Sequence, residues 1–444
     1  MKALAHTAAR SPSTRRTLPL AAAVCLLSFA AFWAAQRAAG VSMIDLMVYR
    51  AEGRTVRAGA DLYAMRATHA RLPTTYPPFA ALLFTPLTLP GVTQLRALAT
   101  VVNLALLLAL AHLSLRLAGW RRPPGAALWI GALAVWCEPV WTTLRYGQIN
   151  LLLAVAVLWD LTRREGHRWA GTGIGLAAAL KLTPALFALF LLIAGIVRAR
   201  SGAGNTSLAV PLRAASVFCA ATAAAAAVLP YDSVRFWTSM VFEAGRVGHA
   251  EDTANQSLRG VLARLLHTGD PGPWWTAAAA VTAALGLAVA VRAELRGERA
   301  WAAMSCAVTG LLVSPVSWSH HWVWCVPMVV LLGVERPRWA LLGAVFATYA
   351  LWWVPHGTSR PELAQGGGDM ALSALYPLAG AGFLVLAALR LSRAAAPRPR
   401  RAVAFGFRPW RRSRTASTCS APQGGGHRSA PLRVPDTSRS GRPL

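Results

Sequence analysis

The chain has 444 residues, 55% of them hydrophobic, and a net charge of +28 from 45 Lys and Arg against 17 Asp and Glu. A mean hydropathy of +0.43 excludes an ordinary soluble domain and implies repeated membrane crossings, each needing about 20 apolar residues. The charge does not point to nucleic acid, because many of the arginines sit in short clusters between apolar runs or in the tail, as the positive-inside rule expects.

Residues 1–17 carry Lys2, Arg10, Arg15 and Arg16 ahead of an apolar run from Leu18 to about Ala35. That pattern resembles a signal peptide, with small residues near Ala34 to Ala39. The many later apolar runs favour an uncleaved first span, held inside by its basic end. A long outer loop follows, about 38–94. Within it, Tyr76 to Pro90 (YPPFAALLFTPLTLP) is apolar but short and broken by proline, so it reads as an interfacial or re-entrant helix.

The second span, about 95–117, returns to Arg121 and Arg122. The third (about 125–137) leaves, and the fourth (about 149–161) comes back to Arg163, Arg164 and Arg168. Two short runs, about 169–181 and 184–197, form a hairpin whose outer tip is Lys181-Leu-Thr-Pro184, with Arg198, Arg200 and Arg213 inside. A seventh span (about 213–229) leads to a second large outer loop, 230–272. Spans at about 273–291, 299–314, 320–334, 338–353 and 371–389 complete about twelve crossings, enclosing Arg292, Arg296, Arg299, Arg336 and Arg338 inside. The transmembrane domain is therefore 18–390, between a cytoplasmic segment 1–17 and a basic tail, 391–444, that reads as disordered and suited to touching anionic lipid.

On this map the unusual polar residues gather on the outer side of a cytoplasmic membrane. The first outer loop holds Asp45, Tyr49, Arg50, Glu52, Asp61, Tyr63 and Tyr76; the next holds Glu138, Arg145, Gln148 and Asn150. Beyond Lys181 come Asn255, Ser257 and Arg259, then Ser317, Trp318, His320 and His321. Lys2 and Lys181 are the only lysines, and Lys181 stands inside a membrane-grade apolar stretch, where an ionisable group is a functional candidate by default.

Asp45 lies roughly ten residues past the first span, near the membrane surface, with burial and Arg50 pulling its proton affinity in opposite directions. It suits a general base, and equally a capping or solvated aspartate. Lys181, Arg145 and Arg259 are suited to neutralising a phosphate; for Lys181 a snorkelling role is the alternative. Neighbouring His320 and His321 point apart on a helix, so one of them is expected to be central. Trp318 and Trp322 serve either as interfacial belt residues or as platforms for sugar rings.

Other apparent motifs fail. Gly171-Thr-Gly-Ile-Gly175 lacks the strand of a dinucleotide site and the lysine of a phosphate loop, and instead has the spacing of close helix packing. The Asn205 and Asn255 glycosylation patterns are of a kind common by chance. The six scattered cysteines show neither metal-ligand spacing nor a disulfide framework. No metal and no cofactor is expected, and no paired acidic motif suits a nucleotide-sugar metal. An outward site without nucleotide machinery favours a sugar donor already carried on lipid.

Seven motifs occur in order: Asp45-Leu-Met-Val-Tyr49, Gly59-Ala-Asp61-Leu-Tyr63, Thr75-Tyr-Pro-Pro-Phe79, Gly147-Gln-Ile-Asn150, Lys181-Leu-Thr-Pro184, Asn255-Gln-Ser-Leu258 and Ser314-Pro-Val-Ser-Trp318-Ser-His-His321. Together, across about residues 40 to 325, they resemble the actinobacterial polyprenol-phosphate-mannose-dependent α-(1→2)-mannosyltransferases. The resemblance implies an all-α, C-type glycosyltransferase bundle with a catalytic acid in its first outer loop. It implies a polyprenyl-phosphate-mannose donor, a mannosylated lipid or glycan acceptor and contact with membrane lipids. Asp45 would be the base, and Lys181, His320 or His321, Gln148 and Asn150 would meet the donor's phosphate or sugars. Arabinofuranose or glucose on the same carrier is a near alternative; a transporter or flippase is the alternative of another class, disfavoured because polar residues collect at one surface and no internal repeat is seen.

Overall fold

A computed structural model describes residues 12–120, 125–164, 166–202 and 208–393, with side chains from 17 onward. They lie in one compact unit, residues 1–398. The basic tail beyond 393, Lys2, Arg121, Arg122 and the Asn205 pattern fall outside the described residues.

The described residues are mainly helical. Helix α1 (Pro12–Ala38) is followed by α2 (Ile44–Arg57), which starts after Met43 in a left-handed conformation, φ 51°. A two-residue hairpin, β1 (Arg66–Ala67) and β2 (Leu72–Pro73), pairs Arg66 with Pro73 and Ala67 with Leu72 in antiparallel register. Helix α3 (Pro78–Phe84) tightens into a 3₁₀ turn over Thr85–Thr88. Proline at its start and again inside the turn keeps this apolar segment short, as expected of an interfacial or re-entrant piece.

Helix α4 (Val92–Leu117) precedes α5 (Ala126–Ala134) and α6 (Glu138–Tyr146), a pair bent by 76° at its break. Next come α7 (Asn150–Leu161), α8 (Thr172–Leu180), α9 (Ala185–Arg200), α10 (Ala209–Val228) and α11 (Pro230–Thr238). The remainder is α12 (Leu258–Leu265), α13 (Gly272–Leu295), α14 (Arg299–Val313), α15 (Cys325–Glu335), α16 (Gly367–Ser373) and α17 (Leu375–Arg393).

Among the described residues, five helices are long and apolar enough to cross a membrane: α1, α4, α10, α13 and α17, or six crossings if the bent pair counts as one. Leucines on their outer faces, such as Leu26, Leu27 and Leu285, are exposed as lipid contact requires. Other expected crossings take different forms. Helix α8 has 9 residues, about 14 Å of rise, roughly half the hydrocarbon thickness. The segment expected to cross at about 338–353 is 3₁₀ over Pro337–Ala347, and Tyr349, left-handed at φ 55°, stops it from continuing as one helix.

Lipid tails are as apolar as leucine, so small residues that admit close backbone approach hold such helices together. Helix α8 shows this. A Cβ on Gly171 would strike the Val210 carbonyl, and one on Gly175 would lie 2.5 Å from the Ala214 carbonyl oxygen. The glycine spacing read from the sequence thus seats α8 on α10. The interior is a continuous apolar core that includes Phe32, Leu107, Ile174, Phe190, Trp301 and Trp322.

Gly175→Leu should force α8 off α10 at a cost of about 1–3 kcal/mol for overpacking. The expected result is a lower thermal unfolding midpoint in detergent; an unchanged midpoint would contradict the close packing.

Candidate active site

Asp45 occupies the first turn of α2, where the helix dipole favours a negative charge. Its Oδ2 accepts a 2.6 Å hydrogen bond from Gln148 Nε2. Gln148 Oε1 in turn accepts from the hydroxyls of Tyr49 at 2.7 Å and Tyr76 at 3.2 Å. Those phenols are rigid: Tyr49 stacks on Phe84 at 4.5 Å and meets the Tyr76 ring edge-on at 5.3 Å. Because two hydroxyl donors claim the amide oxygen, the amide nitrogen is left facing Asp45.

Gly147 makes this arrangement possible. At φ 68° it ends α6, and a Cβ there would sit 2.7 Å from Leu46 Cβ, so a larger residue would push α2 and its Asp45 away from Gln148. Burial pushes the Asp45 carboxyl up to about 6, partly offset by the Gln148 hydrogen bond and the Lys181 charge. The neighbouring cation is thus Lys181 and not Arg50, as the sequence had suggested. Five residues along a helix is about 140° of rotation, and Arg50 turns away to donate to the carbonyls of Pro90 at 2.7 Å and Thr88 at 3.3 Å.

Lys181 follows α8 in an extended conformation, φ −152° and ψ 125°. Its Nζ lies 2.9 Å from His321 Nε2, 3.4 Å from Asn150 Oδ1 and 5.6 Å from the Tyr76 ring centroid. Asn150 also donates from Nδ2 to the His320 carbonyl at 3.0 Å, as Thr143 does at 2.8 Å. The two histidines open a 3₁₀ turn, Ser319–Trp324, with rings perpendicular at 4.9 Å. They were expected to diverge on a regular helix. In this turn both border the same cavity, and His320 keeps a buried Nε2 without a hydrogen-bond partner among the described residues.

Glu138 holds this turn in place. Fully buried, it accepts from Thr142 (2.8 Å), Ser319 (2.8 Å) and Trp352 (3.1 Å) on Oε1, and from the Tyr376 hydroxyl (2.9 Å) on Oε2. Three other segments therefore converge on a carboxylate of α6.

The cavity measures about 570 Å³ and is bordered by Asp45, Tyr49, Tyr76, Gln148, Lys181, Trp318, His320 and His321. A smaller one of about 50 Å³ shares Lys181 and His321 and is lined by Asn150, Ser317 and apolar residues such as Leu186, Phe187 and Trp324. Other candidates lie outside both linings. Tyr63 donates to the Tyr76 carbonyl at 2.9 Å and stacks on Phe236. Arg145 is exposed in the last turn of α6. Asn255 ties its side chain to the Ala250 carbonyl and the Ser317 amide, and Ser257 caps α12. Arg259 pairs with Asp270 at 3.6 Å and lies over Trp275. These five do not line either cavity.

The larger cavity also takes in Tyr146, Glu243, Arg246 and Asp252, which sequence reasoning did not select. Arg246 donates to the carbonyls of Met240, Thr74 and Thr75, so its guanidinium ties two loops together. No motif marks these loop positions. Among the described residues, no group of three His, Cys, Asp or Glu is placed to hold a metal ion.

Residues 75–315 match the model of glycosyltransferase family 87. The chain is 36% identical over 318 residues, 68% of its length and 70% of the relative's, to a polyprenol-phosphate-mannose-dependent α-(1-2)-phosphatidylinositol pentamannoside mannosyltransferase of Mycobacterium tuberculosis. It is 35% identical over 322 residues, 66% of its length and 70% of the relative's, to a polyprenol-phosphate-mannose-dependent α-(1-2)-phosphatidylinositol mannoside mannosyltransferase of Mycolicibacterium smegmatis. A pentamannoside mannosyltransferase of the latter organism is 32% identical over 341 residues, covering 75% of this chain and 79% of that one. No solved structure matches the chain.

Glu138→Ala strands four donors, three of them buried, and should destabilise the protein by about 3–5 kcal/mol, whereas Glu138→Gln keeps an acceptor and should lose less. Thermal unfolding of both variants in detergent checks the order; equal midpoints would remove Glu138 as the anchor.

Proposed function

The chain belongs to glycosyltransferase family 87, and from that premise we propose that it transfers mannose from polyprenyl-phosphate-mannose to a mannosyl acceptor of the phosphatidylinositol mannoside or lipoglycan type. The new linkage is α-(1→2). The observation that carries this reading is one cavity bordered both by a carboxylate with a free oxygen, Asp45, and by the Lys181–His321 pair.

The acceptor hydroxyl attacks the anomeric carbon, and Asp45 Oδ1 takes its proton, while Gln148 holds Oδ2. The bond from the anomeric carbon to the phosphate oxygen breaks, and its electron pair leaves with polyprenyl phosphate. Lys181 and the histidines meet the charge that develops there, in a site where donors are already oriented. A single displacement on a β-linked donor yields the α product. Gln148, Tyr49 and Tyr76 act by orienting the base. Asn150, which touches both Lys181 and the His320 carbonyl, keeps the cationic side in register.

In this reading the catalytic body is residues 18–390, a C-type helical bundle in the cytoplasmic membrane with the cavity open to the outer side. The support is the alternation of arginine clusters such as Arg163, Arg164 and Arg168 with the segments that build the site.

Purified protein supplied with labelled polyprenyl-phosphate-mannose and a mannosylated phosphatidylinositol should add one mannose that an α-(1→2)-specific mannosidase releases. Preference for a glucosyl or arabinofuranosyl donor, or lipid movement without transfer, would overturn the assignment. Asp45→Asn should lower the rate by about 10²–10⁴; full activity would remove Asp45 as the base.

The rate should also fall as pH drops through about 6, because the base must be ionised. Gln148→Ala removes a hydrogen bond that lowers this proton affinity, so the acid limb should move to higher pH. A limb that stays in place would show that Asp45 does not govern it.

Cysteines placed at Gly59 and Gly166 in a cysteine-free protein should react with an impermeant maleimide from opposite sides of the membrane. Labelling from one side would refute the topology.

A further inference from the structure

One wall of the larger cavity is built from two segments joined by backbone pairing. Asn255 bridges Trp318 in antiparallel fashion, Gln256 N donates to the Ser317 carbonyl at 2.7 Å, and Ser319 N donates to the Ala254 carbonyl at 2.8 Å. The pairing runs directly into His320, so this wall and the catalytic turn form one framework.

Asp252 begins the first segment and lines the cavity. Its Oδ1 accepts from Ala254 N at 2.9 Å. Its carbonyl accepts from Asn255 N at 2.7 Å and from Arg264 Nη1 at 3.0 Å. Arg264 is 1% exposed and anchors the same loop to the Ser373 carbonyl. The backbone and one carboxylate oxygen of Asp252 are therefore locked. Its Oδ2 meets no hydrogen-bond donor among the described residues. Burial raises the proton affinity of this carboxyl above the ordinary range, so hydroxyl donors from a ligand would relieve a desolvated charge.

Trp318 lines the same cavity, and its indole packs against Gly248, where a Cβ would lie 2.7 Å from Cη2. Gly248 has φ 151°, a conformation that side chains rarely adopt. The loop can thus brace the indole without covering it with a side chain. A fixed carboxylate and a fixed indole lining one cavity suit a pyranose: hydroxyls donate to the carboxylate, and the C–H face lies on the ring. A phosphate would be repelled by the carboxylate, and an alkyl chain would leave it desolvated without partners.

We propose that Asp252 and Trp318 form the subsite for the acceptor's terminal sugar, with Asp252 accepting hydrogen bonds from non-reacting hydroxyls and Trp318 covering its C–H face. This rests on the glycosyl-transfer reading above, and assigns the two carboxylates different tasks: Asp45 takes the proton of the reacting hydroxyl, and Asp252 holds the sugar that carries it.

The test uses the full-length protein, polyprenyl-phosphate-mannose, and a short α-mannoside acceptor with its monodeoxy analogues. Asp252→Asn should raise the acceptor KM by about 10- to 100-fold, the loss expected for a charge-assisted hydrogen bond, with the donor KM within about twofold. One monodeoxy analogue should be correspondingly poor with wild type yet suffer no further loss with Asp252→Asn, a result that a merely structural role would not produce. If Asp252 variants are not recovered folded, the wild-type deoxy series and Trp318→Leu carry the test. The latter should raise the same acceptor KM.

An unchanged acceptor KM in an active Asp252 variant overturns the inference alone. So does a fall in rate at saturating acceptor as large as that of Asp45→Asn, which would make Asp252 the base, or a deoxy series with no single sensitive position in wild type. Absence of transfer by wild type to any acceptor overturns the glycosyl-transfer reading itself, and the subsite with it.

Discussion

A primary amide has one acceptor end and one donor end, and Gln148 commits them to different neighbours. Its oxygen is claimed by the hydroxyls of Tyr49 and Tyr76, its nitrogen by Asp45. The direction of that amide links α2, the segment before α3 and the turn after α6 into one hydrogen-bonded unit. Reversing it would bring the carbonyl against the carboxylate and leave two buried hydroxyls facing an NH₂ group. Every feature of the site that concerns proton removal depends on this orientation.

The cationic side obeys a related constraint. An ammonium in an apolar bundle is costly unless its donors find partners. Lys181 satisfies this with His321 and Asn150, at the point where α8 stops and α9 begins. The shortness of α8 therefore matters to function as well as to packing. Glycines at 171 and 175 let it lie on α10, and its end delivers Lys181 to the cavity in place of lipid. On the other side, Glu138 gathers donors from its own helix and three other segments to hold the histidine turn. The reacting groups are held by a rigid polar frame, which suits a reaction that needs preorganised charge.

The sequence was most legible where chemistry is written in residue type. An aspartate after the first apolar run, a lone lysine in a hydrophobic stretch, a paired histidine and a Gly-Gln-Ile-Asn turn all meet around one cavity. It was least legible where the same residue types serve as scaffold. Arg50, Asn255 and Ser257 bear polar groups as promising as those of the site, yet they bond to backbone carbonyls and amides of the scaffold. Asp252 shows the opposite error: a loop aspartate without any motif, brought to the cavity wall by pairing with a segment more than sixty positions later.

Hydrophobic runs and arginine clusters are local properties, and they were sufficient to establish a helical membrane protein and the order of its apolar segments. The ordered motifs were sufficient for the family. Which polar groups face one another was settled by folding, because an amide or carboxylate has no direction until backbones separated by a hundred residues or more have packed. The 3₁₀ turn that brings both histidines to the cavity, the short α8 and the left-handed Tyr349 all arise from such packing. A periodicity argument presumes regular helices and so could not have anticipated them.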